Sequence, residues 1–581
     1  MMGILRLSQD LQPYAVSAHL GTLTQPATNI DTIDSLVIDG PSLVYHIFNR
    51  LLAYRASRSP VLDGGLPKYS EINQGFQYFL GDLEGCGVQI HHIFFDGGLP
   101  PSKHPLRLGR MEKVRVQLER YHMQHSLDPM IAARGEIQFE EALWNTPVMS
   151  TRKSTPPPPP FMVASVIEFL RASKWSQLVS VVLGEADSFC AEAARAGSAA
   201  VLTNDSDLAV HELGPNGSLA LLGSIEKKSS GQGKGKTRLT ILSLHPKAIA
   251  DRLGVPSLVR FAFERDMDSS ISTAMARERA RDQSRLENLS AEFSEFAEQY
   301  MCLPSQTKPA AGFPLDDIDP RTAELIGSTA DSPHIYLTPI LEDPSRDSSW
   351  SYGSEIRQLV YSLLSWSRRP SRPMAVVEHA RKGQRIASTT VSQFSRTQLE
   401  DQLRQMINTL EQAYTTHLET SHSPLDEDDR TSLLLNWYLL GANTVQHRLL
   451  ALGKRPVRLS LLHDTIGLTK RRRGLPPRVT WDEIHFLGQV HAVLYSYRML
   501  RQISEHVLRV KRQGQGQPRD PQTASSAEDG GGNPPRSTDS DRDSIQTLTQ
   551  ELSSKLKDMP PIADLFLSVS DLRSRFHSAS D

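Results

Sequence analysis

Residues 198–207 read SAAVLTNDSD, a short apolar, β-prone run that stops at two aspartates one residue apart. Just upstream, LVSVVLGEAD (178–187) repeats the design: an apolar run, then Glu185 and Asp187. Further back, IHHIFFD (90–96) ends in Asp96 and SLVID (35–39) ends in Asp39. Between these runs lie stretches of helical periodicity at 70–85, 103–122, 161–175 and 185–196, and another follows Asp39 at PSLVYHIFNRLLAYR. Short buried-strand patterns alternating with helices predict a parallel sheet covered by helices on both faces. In such sheets ligands bind beyond the carboxyl ends of the strands. Parallel strands would carry Asp39, Asp96, Glu185, Asp187, Asp205 and Asp207 to that one edge.

A single aspartate after a strand is most often a helix N-cap, and Asp39 before Gly-Pro or Asp96 in FFDGGLPP fits that reading or a turn. The Glu-x-Asp and Asp-x-Asp pairs fit it less well. Clustered carboxylates resist joint ionisation unless cations neutralise them. An all-oxygen donor set suits Mg²⁺ or Mn²⁺, and two such ions together support hydrolysis of a phosphodiester.

Composition sets outer bounds. The chain has 581 residues, 39% of them hydrophobic and 22% charged, enough for two or three domains of ordinary globular character. The formal charge of -2 confines any nucleic-acid binding to local basic patches. No apolar run reaches the length of a membrane span. Three cysteines without metal-finger spacing point to a reducing compartment, nuclear or cytoplasmic. The proline run in TRKSTPPPPP (151–160) excludes helix interior and central strand, and KKSSGQGKGK (227–236) reads as a basic hairpin tip. No nucleophile elbow, Walker A or Rossmann glycine pattern is present, which makes a phosphatase or another α/β hydrolase the weaker reading.

The motifs MGI (2–4), LVIDGPSL, FFDGGLPPSK, LGEADSFCAEAA and LTNDSDLAV together resemble the successive motifs of flap endonucleases and the XPG group, a PIN-like fold. The layout is most similar to the asteroid branch. The resemblance implies a structure-specific, Mg²⁺- or Mn²⁺-dependent nuclease with two ions held by Asp39, Asp96, Glu185, Asp187, Asp205 and Asp207. It also implies Lys103 and Arg110 as catalytic cations, which with Arg107 stand at i, i+4 and i+7, and Gly3 near the nucleic acid. A further aspartate belongs in a Gly-x-Asp-Tyr motif. Here the stretch is RFAFERDMDSS, where Asp266 is the nearest match and the glycine and tyrosine are missing. The glycine-rich duplex clamp that should follow is replaced by SSISTAMARERARDQSRLE, a charged helical pattern.

The expected organisation is a PIN-like domain over 1–270, a charged helical or linker region over 271–350 and a mostly α-helical domain over 351–510. A disordered stretch over 511–544 and helices over 545–581 complete it. Lys511 to Ser544 contains no Val, Ile, Leu, Met or aromatic residue to build a core. The KRRR run at 470–473 reads as an import signal, a nucleic-acid patch or a solvated basic run. Two functions stay open: a nuclease on DNA or RNA, and an asteroid-type scaffold of weak or no catalysis that binds nucleic acid, or protein through its helical C-terminal domain.

Overall fold

The structure, a computed structural model, describes residues 4–22, 31–58, 66–125, 135–147, 155–228, 238–300, 318–330, 332–368, 374–420, 429–466, 479–515 and 540–577. Gly3, the KRRR run, most of the 227–236 loop and residues 516–539 lie outside them. Two compact units form. The first holds 1–106, 133–152 and 161–327, and the second holds 107–132, 153–160 and 328–581.

The first unit is built on eight strands: β1 (Val16–Leu20), β2 (Asp31–Ile33), β3 (Ser35–Asp39), β4 (Gln89–Asp96), β5 (Val179–Val182), β6 (Ala200–Thr203), β7 (Ser218–Lys228) and β8 (Arg238–Leu244). Their order is β2-β1-β8-β7-β6-β3-β4-β5. Only β8 runs against the others, pairing antiparallel with both β7 and β1. The four strands read first from the sequence are β3 to β6, and they are neighbours in the middle and at one side of the sheet. At the other side, β7 and β8 are the arms of the hairpin read at 227–236, while β1 and β2 escaped the sequence reading because they are short and partly polar.

Alternation along each strand fills two cores. Leu36 and Ile38 of β3, Ile93 and Phe95 of β4, and Leu202 of β6 face one side, against the helices Gly40–Arg58, Tyr69–Gly85 and Met162–Arg171. Val37, Phe94 and Val201 face the other, against the helix Ala186–Gly197 and later helices. Burial on both faces is what makes these strands continuous apolar runs. The charged region after 270 is helical and packs on the sheet. Its helices Thr273–Arg281 and Ser290–Glu298 bury Ala276, Ala280 and Phe296 in the second of these cores. Small and aromatic residues at helical spacing, hidden among charges, supply that face.

The second unit is mostly helical, with the long helices Ser354–Arg368, Arg396–Thr420, Asp429–Ala451 and Trp481–Gln515. It also carries a three-stranded sheet, β9 (His334–Tyr336), β10 (Val376–Lys382) and β11 (Arg385–Val391), that the helical reading missed. Within it the buried Arg357 guanidinium meets Glu378 with Nε–Oε1 and Nη2–Oε2 distances of 2.6 and 2.9 Å, and Tyr361 donates to the same carboxylate. Among the described residues no helix is long and apolar enough to cross a membrane.

Candidate active site

The carboxyl ends of β6, β3, β4 and β5 stand side by side, and each delivers acids to the same edge. The chain runs β3, β4, β5 outward in one direction, then crosses back to place β6 on the other side of β3. That reversal is a topological switch point, the place where an open α/β sheet leaves a crevice. Two glycines let the backbone turn there. A Cβ on Gly40, just after Asp39, would lie 2.5 Å from the Phe95 ring and 2.7 Å from the Phe94 carbonyl oxygen. A Cβ on Gly97, just after Asp96, would lie 2.2 Å from the Val182 carbonyl oxygen.

Hydrogen bonds separate capping from other roles. Asp39 accepts from the Ser42 N–H at 3.3 Å and hydroxyl at 2.5 Å, as a cap would, but also from the Thr203 hydroxyl of β6 at 2.7 Å. Asp205 caps its own short turn, accepting from the Asp207 N–H at 2.9 Å. Asp96 instead accepts from Ala186 N–H at 2.7 Å, at the head of a helix that follows a different strand. Glu185 occupies the N-cap position of that helix without capping it, and Asp187 lies in its first turn. Asp207 accepts the Ile4 N–H on both carboxylate oxygens, at 3.0 and 3.1 Å. Capping therefore accounts for two of the six acids and leaves four without that explanation.

Electrostatics records their proximity. Burial, with the Asp96 charge, lifts the Asp39 carboxyl to about 6. Burial and the charge of Asp205 lift Asp207 to about 7. Asp187 is pushed well above the usual carboxylate range by burial, then by Asp205, Asp39, Asp96 and Glu185. The six carboxylates thus form one mutually repelling group.

Lys103 joins them. Its ammonium lies 2.7 Å from Glu185 Oε1. Burial alone would depress it, but Glu185, Asp187 and Asp207 outweigh burial and hold it above its ordinary value. The helical face expected for Lys103, Arg107 and Arg110 is corrected in one respect. Lys103 ends a 3₁₀ turn begun by Pro101, and the helix starts at His104. Arg107 and Arg110 belong to the second unit, where the Arg107 guanidinium carbon sits 4.5 Å from the Tyr336 ring centre and Arg110 is exposed. Asp266 lies on the last turn of the helix Leu258–Met267, and its charge raises Asp207.

Three contributors escaped the sequence reading. Thr203 bridges two strands through its bond to Asp39, and the only hint was its place before Asn-Asp. Tyr300 is buried, and its hydroxyl is driven upward by burial and by Asp207, Asp266, Asp205 and Glu185. His211 packs edge-on against the Tyr300 ring at 5.2 Å, and burial, then Lys103, lowers it to about 4. No spacing rule connects residues 211 and 300 to the acids.

Among the described residues, no group of three or more His, Cys, Asp or Glu side chains is arranged to hold a metal ion. The donor chemistry fits a hard divalent cation all the same. Every candidate donor is a carboxylate oxygen, and the raised Asp39, Asp187 and Asp207 mark negative charge that Lys103 alone does not neutralise.

Residues 158–393 match the family described as XPG domain containing, a span that carries Glu185, Asp187, Asp205, Asp207 and Asp266. A curated relative, Asteroid homolog 1 of Schizosaccharomyces pombe, is 22% identical over 520 residues, covering 86% of this chain and 82% of the relative. Over these spans the chain is similar to the XPG-like family and to an asteroid homologue. No solved structure matches this chain. The family match starts after β3 and β4, so Asp39, Asp96 and Lys103 enter the site through the fold rather than through that match.

Proposed function

We propose that the first unit of this XPG-like chain is a divalent-metal-dependent nuclease that hydrolyses phosphodiester bonds in DNA or RNA. The observation that carries the reading is the meeting of six carboxylates at adjacent strand ends, where burial and neighbouring acids raise Asp39, Asp187 and Asp207, with Lys103 on Glu185. Asp39, Asp96, Glu185, Asp187, Asp205 and Asp207 are the residues that would hold two Mg²⁺ or Mn²⁺ ions, and Asp266 stands beside Asp207. Bound ions would supply charge neutralisation for the leaving oxygen and a more acidic water.

The chain's own residues do the rest. Thr203 and Ser42 fix the Asp39 carboxylate, and Ala186 N–H fixes Asp96, so the acids are held before any ligand arrives. Such preorganisation avoids reorganisation when charge develops. Lys103, once the phosphate arrives, offers an ammonium to its non-bridging oxygens.

A second reading, a scaffold of weak or no catalysis that binds nucleic acid or protein, is favoured by one observation. Both oxygens of Asp39 and of Asp207 already accept N–H or O–H donors. Hydrolysis of single-stranded, flap and duplex DNA and RNA in Mg²⁺ or Mn²⁺ decides between them. The nuclease reading expects cleavage that disappears in an Asp205→Ala, Asp207→Ala variant. Equal rates for the two proteins would reject it and leave the scaffold.

A further inference from the structure

The residue before Asp266 is Arg265, and its side chain is fully buried. It faces a buried carboxylate from the other end of the unit. Arg265 Nε donates to Asp10 Oδ2 at 2.6 Å and Nη2 to Asp10 Oδ1 at 2.9 Å, a two-pronged pair. Thr273 closes it: its hydroxyl donates to Asp10 Oδ1 at 2.7 Å and accepts from Arg265 Nη2 at 3.1 Å. Arg265 Nη1 also donates to the Ile271 carbonyl. The guanidinium thus spends its donors on the N-terminal helix and on the turn that follows its own helix.

Asp10 lies on the short helix Leu7–Leu11, whose Leu7 and Leu11 are wholly buried. Immediately before it, Arg6 adopts the left-handed conformation, φ 67°, which among the described non-glycine residues only Ser198 shares. That conformation is unfavourable for an L-residue and persists where its surroundings hold it. The turn at Arg6 brings the Ile4 N–H back onto both oxygens of Asp207. The one ion pair therefore fixes two features of the acid edge: the N–H that orients Asp207, and the helix end that carries Asp266.

We propose that Asp10 and Arg265, with Thr273, are positioning residues that hold the N-terminal segment and Asp266 against the acid edge and so set its affinity for divalent cations. The proposal rests on the metal-dependent reading above. Neither side chain touches the carboxylates that would bind the ions. Their effect passes through the Ile4 amide and through the helix Leu258–Met267. Groups one layer behind metal ligands commonly alter affinity by about 10- to 100-fold.

The test uses the full-length protein. Removing one partner leaves a buried charge unpaired and can prevent folding. The informative variant is therefore the neutral double substitution Asp10→Asn, Arg265→Met, compared with Arg265→Lys. Amide hydrogen exchange of residues 4–11 and Mn²⁺ affinity by calorimetry are read on each. In the double variant, exchange at Ile4 through Leu11 is expected to quicken about tenfold or more, with Mn²⁺ binding about tenfold weaker. Arg265→Lys, which keeps one charged donor, falls between. Val166→Ala, in the core on the opposite face of the sheet, lowers stability without moving either readout. A folded double variant with wild-type exchange at residues 4–11 overturns the clamp, and unchanged Mn²⁺ affinity overturns its role at the acid edge. Should the wild-type chain bind no Mn²⁺ at all, the metal reading fails, and the exchange data alone decide whether Asp10 and Arg265 hold the segment.

Discussion

Substituting Asp39 by Asn is expected to stabilise the metal-free protein while removing its response to metal. Asp39 is buried and its carboxyl is lifted from the ordinary 3.8 to about 6 by burial and, in part, by Asp96. At 1.36 kcal/mol per pH unit, a rise of about 2 corresponds to ~3 kcal/mol. The sign follows from proton linkage. The folded state holds this proton more tightly than the unfolded chain, so there is no penalty below pH 3.8. The penalty grows as pH rises from there to about 6 and is complete above it. An uncharged asparagine avoids it, keeps one carbonyl oxygen for Thr203 or Ser42, and leaves one of the old donor contacts to rearrange. The net gain expected at pH 8 in EDTA is about 1–3 kcal/mol, shrinking toward zero at pH 4. Urea unfolding of both proteins, with EDTA and with millimolar Mg²⁺, measures it. Wild type should gain stability on adding Mg²⁺ and the variant should gain little. If the variant in EDTA at pH 8 were less stable than wild type by 1 kcal/mol or more, the reasoning from charge repulsion would be wrong.

Further outcomes follow from the same geometry. Mn²⁺ affinity, read by calorimetry, should strengthen from pH 5.5 to pH 8, because Asp39 near 6 and Asp207 near 7 must lose their protons before they bind. Lys103→Met should lower the cleavage rate by about 100-fold or more while Mn²⁺ binding is retained, separating a transition-state role from a structural one. Gly40→Ala should lower stability by about 1–3 kcal/mol, seen as a lower unfolding temperature, because its Cβ would fall 2.5 Å from the Phe95 ring. In the second unit, Arg357→Met should cost about 3–5 kcal/mol by stranding Glu378, and adding Glu378→Gln should recover most of it in thermal unfolding.

Much of the site was legible in the residues alone because a parallel sheet converts sequence into position. An apolar run that ends in an acid delivers the acid to the carboxyl edge, so β3 to β6 and their six carboxylates could be placed by pattern. The reading failed where that conversion does not operate. The strands β1 and β2 end without acids. The helices after residue 270 hide Ala276, Ala280 and Phe296 among charges, and their burial depends on a partner surface that no local pattern reveals.

By itself, then, the sequence determined which residues are acidic, which runs are strands and that the acids share one edge, since periods of two and 3.6 residues act locally. Only the tertiary structure decided the strand order that seats β6 beside β3, and the bond from Thr203 to Asp39 that follows from it. The same holds for the Ile4 amide on Asp207, and for the pairing of Asp10 with Arg265 across 255 residues. These contacts join segments whose meeting is set by how the whole chain packs, and a buried polar group finds its partner only after that packing is complete.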